Sequence, residues 1–278
     1  TFTGGKKMKL GYQTITWGGV VGQAQGVTSI KDLFYQTYGS TAKACEDIAA
    51  AGYSGIEIFD GNLAEYANDP DSFKSLLSKH KLELVSVYTG ANFIYNDILV
   101  DEFHKIKQAI VFAKSMGAIN LIVGGGAKRS TGTTEEDFQM LAKGLDQVTD
   151  LAAAAGLTAC YHPHLTTIVE TTTELDKIMS LSKIHLCPDT AHLTAGGVDA
   201  AAAIRKYGKR VRHIHLKDYT ANPFAFLPLG KGNIDFADIF SAIKEVNYDG
   251  WLVVELDGYN GDPKDAADIS MKFIKENL

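Results

Sequence analysis

The sequence predicts an α/β fold, a closed (β/α)₈ TIM barrel forming one domain over residues 1–278. Three observations carry this. Short apolar, β-branched or aromatic runs alternate with longer amphipathic segments along the chain. The alternation yields eight strands and eight helices, the count that closes a barrel. A chain of 278 residues that is 45% hydrophobic suffices for one large core, and α/β barrels of this length stand as single domains.

Taken in order, the first strand is expected at 10–16, where Tyr12, Thr14, Ile15 and Thr16 supply β-formers. The segment 18–40 reads as an extended first loop over the barrel mouth, and a helix follows at 41–51. Gly52 then suits a left-handed cap. Gly-Ile-Glu-Ile-Phe at 55–59 is the second strand, before a helix at 71–80. Leu-Val-Ser-Val-Tyr at 84–88 is the third, and its helix at 97–116 stops at Gly117. The fourth strand at 120–123 precedes a helix at 134–155 that stops at Gly156. The remaining strands fall at 158–162, 185–188, 211–216 and 251–255, each followed by a helix, at 172–181, 198–207, 236–245 and 263–276. A doubly wound open sheet would have fewer repeats and a glycine-rich phosphate loop after its first strand. Here that strand runs into Trp17-Gly18-Gly19, with no G-x-G-x-x-G opening a helix. Gly124-Gly125-Gly126 does follow a strand, but a long loop comes next, which argues against a phosphate cradle.

Charge narrows the function classes. A net charge of −6 and a pI near 5.7 argue against nucleic-acid binding, which needs clustered Lys and Arg. No run approaches the roughly 18–20 apolar residues of a membrane span. Cys45, Cys160 and Cys187 are odd in number and far apart, so they read as packing residues in a reducing compartment. A cytoplasmic location is expected; the polar opening 1–7 is no intact signal peptide, and a cleaved export signal remains compatible.

In a barrel, polar residues at the C-terminal ends of strands face the active-site mouth. Strand five ends in Tyr161-His162-Pro163-His164, strand six in Asp189-Thr190-Ala191-His192, and strand seven carries His213-Ile214-His215-Leu216-Lys217-Asp218. Strand eight ends in Glu255-Leu256-Asp257, and strand two offers Glu57 and Asp60. Four consecutive strands thus bring imidazole or carboxylate to one rim, the donor set for one divalent ion such as Mn, Co, Zn or Mg. Strand alternation points His213 and His215 the same way, and likewise His162 and His164 if extension continues past Pro163. One of each pair can be a ligand and the other a supporting or substrate-binding group; His213 reads equally as a barrel-interior residue with satisfied ring nitrogens. Trp17, at the end of strand one, is a candidate apolar face for a sugar ring.

These stretches, with Leu229-Gly230-Lys231-Gly232-Asn233-Ile234-Asp235-Phe236 and Tyr248-Asp249-Gly250-Trp251-Leu252-Val253-Val254-Glu255, resemble the xylose-isomerase-like barrel superfamily over nearly the whole chain. That superfamily includes sugar epimerases, hydroxypyruvate isomerase, inosose dehydratase and apurinic endonucleases. The resemblance implies metal ligation by Asp189, His215 and Glu255, and substrate contact by His192. Its epimerases carry a glutamate at the end of strand five, where this chain has His162. Tyr161-His162-Pro163-His164 is closer to the histidine-rich strand five of inosose dehydratases. His162 is then the fourth ligand, with His164 the alternative.

An epimerase needs a base on each face of the reacting carbon, whereas a dehydratase needs one base and an acid for the departing hydroxyl, a role suited to imidazole. The expected function is therefore a metal-dependent dehydratase (a lyase) acting on a keto-inositol or related keto-sugar or polyol. The alternative is a metal-dependent ketose isomerase or epimerase; a non-catalytic sugar-binding barrel and an apurinic endonuclease rank lower. Glu255 is expected as ligand and base, His162 or His164 as acid/base, and His192, Lys217, Glu57 and Trp17 as substrate contacts; Lys217 reads equally as a solvated loop lysine, and Trp17 as a packing residue at the barrel rim. The expected partner is a small sugar or polyol, with no nucleic acid and no membrane, and self-association into a homo-oligomer stays open.

Overall fold

A computed structural model describes residues 8–18 and 35–278. Most of the loop expected at 18–40 lies outside the described residues. Among the described residues, the chain runs β1 (Lys9–Gln13), α1 (Thr41–Ala50), β2 (Gly55–Phe59), α2 (Asp60–Leu63), α3 (Pro70–His80), β3 (Glu83–Ala91), α4 (Asn96–Ser115), β4 (Asn120–Gly125) and α5 (Glu135–Ala154). It continues with β5 (Thr158–Tyr161), α6 (Thr172–Leu181), β6 (His185–Leu186), α7 (Thr190–Ala195), α8 (Ala200–Tyr207), β7 (Ile214–Leu216), β8 (Asp218–Ala221), β9 (Phe224–Leu227), α9 (Phe236–Glu245), β10 (Trp251–Val254) and α10 (Pro263–Asn277).

Eight of these strands, in the order β6-β5-β4-β3-β2-β1-β10-β7, form one parallel sheet. Its ends meet where single parallel bridges join Leu186 to Val211 and Asp189 to His215, so the sheet curls into the expected barrel. Pro188 has no N–H to donate, so β6 and β7 are shorter than expected and the closure rests on bonds such as His215 N–H to Pro188 O (3.0 Å). β1 also ends early: Gln13 Oε1 accepts the Ile15 N–H (2.7 Å) and turns the chain into a 3₁₀ turn at Thr14–Thr16.

Strand alternation sorts the core into two shells. Outward residues such as Ile56, Ile58, Leu121 and Leu252 pack with Ile48, Phe73, Ile106, Leu145, Ile178 and Ile274 of the helix layer. Inward residues form smaller groups, among them Phe59, Tyr88, Ile122, Cys160 and Cys187, and lower down Val85, Trp251 and Val253. Gly55 is needed here, because a Cβ would stand 2.5 Å from Val85 Cγ2 and 2.7 Å from Trp251 Cζ3. The three cysteines are free and buried, as packing residues. Capping boxes at Thr134/Asp137 and Thr171/Glu174 start α5 and α6.

Two features on the C-terminal side of the barrel go beyond the sequence pattern. A short helix, α7, begins directly at Asp189, and an antiparallel hairpin, β8–β9, follows β7. The buried Asp218 carboxylate ties that hairpin to the following loop by accepting the N–H groups of Tyr219 (2.8 Å), Gly230 (2.9 Å), Gly232 (2.9 Å) and Ile234 (3.2 Å). Gly124 and Gly125 extend β4 rather than opening a helix, and Gly125 has a φ of +112°, which suits glycine. Asp218→Ala should leave these donors unpaired and lower stability by about 3 kcal/mol. Urea unfolding should show a reduced midpoint at unchanged m-value; an unaltered midpoint would contradict the anchoring role.

Candidate metal centre and active site

Four side chains from adjacent strand ends converge at the mouth. One donor atom each from His162, Asp189, His215 and Glu255 lies within 4.8 Å of the other three, and all four residues are buried. Local structure aims them. Asp189 is the N-cap of α7, so its Oδ1 accepts the N–H groups of Ala191 and His192 (2.9 Å each) and its Oδ2 is left for the cluster. Asp189 Oδ2 stands 3.4 Å from His162 Nε2 and 4.0 Å from His215 Nδ1. Glu255 follows β10 and is fixed by its backbone N–H to Leu216 O (3.1 Å), which places Oε2 at 2.9 Å from His215 Nδ1.

Beside this cluster lies a second group, His164, His192 and Asp257, again with donor atoms within 4.8 Å of one another. Lys217 bridges the two groups. It is buried, and its Nζ is 3.3 Å from Asp189 Oδ2, 3.1 Å from Glu255 Oε1 and 2.6 Å from Asp257 Oδ1. Burial opposes its charge, but Asp189, Asp257 and Glu255 together hold its pKa well above the usual lysine value. Lys217 is thus no solvated loop lysine. Burial pushes the Asp257 carboxyl up to about 6 against the pull of Lys217. Burial also pushes His164 down to about 3 and His192 well below the usual histidine value, so both rings are neutral. Leu165 reads their tautomers: its carbonyl accepts from His164 Nδ1 (2.6 Å), and its N–H donates to His192 Nδ1 (3.3 Å). The basic nitrogen of His164 is therefore Nε2, and His192 carries its proton on Nε2. Phe226 of the hairpin covers this side, 4.9 Å from the His192 ring and 4.8 Å from Lys217 Nζ.

Two expected substrate contacts take other positions. Glu57 lies on β2 below the rim, where its Oε1 accepts from Ser86 Oγ (2.8 Å) and pairs with His213 Nε2 (3.0 Å) and His215 Nε2 (2.9 Å). Burial pushes its carboxyl up, but His215 and then His213 outweigh that and hold it at about 2. Glu57 supports the histidines instead of facing the mouth. Trp17 is buried with the outward cluster, in a T-shaped contact with Tyr12, and its Nε1 donates to Asp47 Oδ2 of α1 (2.9 Å). His213 is a barrel-interior residue whose Nδ1 and Nε2 meet Asn120 and Glu57. Between His162 and His164, the structure brings His162 into the four-residue cluster and His164 into its neighbour. Asp257, which the sequence places at the rim without a role, joins the second group, and Tyr88, which sequence reasoning missed, stands against His162. The spacing Glu255-x-Asp257 puts both acids on one face of an extended segment, a signal that was available for Asp257.

The unpaired atoms at the centre fit a cation. His215 Nδ1 and Glu255 Oε2 are buried without a hydrogen-bond partner although only 2.9 Å apart. Two imidazoles and two carboxylates around such atoms are a donor set for a divalent metal. The neighbouring group fits one less well, because Leu165 N–H occupies His192 Nδ1 and leaves the ring's proton on Nε2. A separate cavity of about 520 Å³ between α2, α3 and α4, lined by Leu63, Ala67, His104, Val111 and Phe112, includes none of these ligands.

Comparison with known proteins identifies the family. The family model described as xylose isomerase-like TIM barrel matches residues 45–277. The chain belongs to this family. Inosose dehydratase from Clostridium perfringens (strain 13 / Type A) is 30% identical over 276 residues, covering 85% of this chain and 90% of that protein. Two solved structures share the fold. A probable 3-DHS dehydratase, AsbF, from Bacillus anthracis has a TM-score of 0.75 at 16% identity, covering 96% of this chain and 99% of the other. The IOLI protein, whose structure has a bound zinc atom, has a TM-score of 0.77 at 19% identity, covering 97% of each chain. Among the described residues of this family member, no helix is long and apolar enough to cross a membrane.

The charge balance at the mouth yields a direct test. In protein stripped of divalent ions, Lys217→Met removes the cation that Asp189, Glu255 and Asp257 share. Unfolding free energy should fall by about 3–5 kcal/mol. Denaturant titration of the chelator-treated variant checks this; wild-type stability would show that the three carboxylates do not depend on Lys217.

Proposed function

We propose that this family member is a divalent-metal-dependent dehydratase, a lyase acting on a keto-inositol or a related keto-sugar or polyol. The observation that carries the reading is the pairing of a four-donor cluster with two neutral, oppositely protonated imidazoles beside it. The 30% identity to inosose dehydratase across most of both chains supports the substrate class. His162, Asp189, His215 and Glu255 are the proposed ligands. A divalent ion there, manganese, cobalt, zinc or magnesium, would supply Lewis-acid polarisation of the substrate's carbonyl and stabilise the developing enediolate.

The remaining chemistry belongs to the side chains. A ketone with a hydroxyl on its β-carbon loses the proton at the intervening carbon, and the β-hydroxyl departs as water. His164 is placed to take that proton at Nε2, since its Nδ1–H is bound to Leu165 O. His192 is placed to hydrogen-bond the leaving hydroxyl through its Nε2–H, because Leu165 N–H occupies its Nδ1, and the proton that His164 accepts passes to that hydroxyl as it departs as water. Lys217 and Asp257 offer a donor and an acceptor to the substrate's other hydroxyls, and Phe226 supplies the apolar cover first sought at Trp17. The dehydratase reading is favoured over an epimerase because the strand-five position carries His162 in place of a second carboxylate base.

Incubation of metal-loaded protein with keto-inositol should generate an ultraviolet-absorbing enone or dione, and chelation should abolish it. His164→Gln and His192→Gln should each lower kcat by roughly 10²–10⁴-fold at unchanged metal content. Deuterium exchange at one carbon without an absorbance change would replace elimination by epimerisation.

A further inference from the structure

Beneath the rim, the inward faces of β2, β3, β4 and β7 hold an unbroken chain of polar side chains. Asn120 Nδ2 donates to His213 Nδ1 (3.0 Å) and also to Arg212 O (3.3 Å). The second bond fixes the amide's orientation, since its nitrogen must face a carbonyl. His213 Nδ1 is then an acceptor, so the proton of the neutral ring sits on Nε2 and points at Glu57 Oε1 (3.0 Å). Ser86 Oγ donates to the same oxygen (2.8 Å), and His215 Nε2 reaches it at 2.9 Å. A carboxylate oxygen only accepts, so His215 carries a proton on Nε2 and its Nδ1 is the nitrogen left to face Glu255 and Asp189.

The other imidazole of the cluster has a support of its own. Tyr88, from β3, places its hydroxyl 3.2 Å from His162 Nδ1, while His162 Nε2 lies 3.4 Å from Asp189 Oδ2. The Tyr88 ring stands edge-on to His162 at 5.4 Å and stacks on His215 at 6.4 Å. One aromatic residue therefore sets the angle of both rings, and its hydroxyl marks which His162 nitrogen faces the cluster.

We infer that Glu57 and Tyr88 are positioning residues for the cation site, Glu57 presenting His215 through Nδ1 and Tyr88 presenting His162 through Nε2. The inference rests on the metal-dependent reading above. It reassigns Glu57 from substrate binding to metal binding at one remove, with Asn120 and His213 as the outer links that keep Glu57 in place. Nothing about it requires contact with substrate, so its signature is in metal affinity and ligand geometry rather than in KM.

Co(II) is the probe, because its visible absorption reports the ligand geometry independently of turnover. Wild-type protein, Tyr88→Phe, Glu57→Met, Glu57→Gln and Ser86→Ala are titrated with Co(II) and their spectra recorded. Tyr88→Phe and Glu57→Met should bind Co(II) roughly 10–100-fold more weakly, the usual cost of losing such a support. Their visible bands should shift. Glu57→Gln keeps an oxygen acceptor for His215 Nε2–H and should recover much of the affinity lost in Glu57→Met. Ser86→Ala removes a Glu57 partner that leads to neither ligand and should bind Co(II) as the wild type does. If Glu57→Met does not fold, Tyr88→Phe and Glu57→Gln still decide the matter. Wild-type affinity and spectrum in Tyr88→Phe overturn the inference, as does a loss in Ser86→Ala equal to that in the Glu57 variants. If the wild-type protein itself takes up no Co(II), the metal-dependent reading fails first and this inference falls with it.

Discussion

Glu57, Asp189, Glu255 and Asp257 are buried at the mouth and upper interior of one barrel, and carboxylates so placed stay ionised only with cations or strong donors among them. Lys217 and the protonated edges of His213 and His215 supply part of that compensation. His215 Nδ1 and Glu255 Oε2, 2.9 Å apart and without a hydrogen-bond partner, mark where a further cation fits. The rest of the site follows from this constraint. α7 begins at Asp189 because one carboxylate oxygen caps the helix while the other serves the cluster. The closure between β6 and β7 places Asp189 beside His215.

The same constraint divides the histidines into two classes. His213 and His215 share one carboxylate, and His162 lies against Asp189, so these rings belong to the charge network. His164 and His192 have backbone partners on Leu165 and are held neutral by burial. The two neutral imidazoles have opposite tautomers, one offering a basic nitrogen and the other an N–H, and they stand on the side covered by Phe226. The proposed carboxylate tier for a cation and the proposed imidazole pair for proton transfer both follow from where β5, β6, β7 and β10 end.

Much of the fold was legible because a barrel strand buried on both faces and an amphipathic helix have different periods, and the chain switches between them eight times. The convergence of His162, Asp189, His215 and Glu255 was legible for a related reason: strand ends in a barrel share one rim. What failed was the assignment of partners distant in sequence. Trp17 sits at a strand end, yet its direction depends on Asp47 of α1, and Glu57 depends on His213 and His215, more than 150 residues away. The β8–β9 hairpin was hidden inside the motif that runs from His213 to Asp235, and α7, with six residues, is too short for periodicity to declare.

The proposed chemistry requires one cation held by His162, Asp189, His215 and Glu255. An anomalous-scattering map from crystals soaked in Mn(II) tests this most directly. The account predicts one strong peak per chain, bounded by those four side chains, with Lys217 turned to Asp257. A peak among His164, His192 and Asp257 instead, or none at the four-residue cluster at saturating Mn(II), would contradict it.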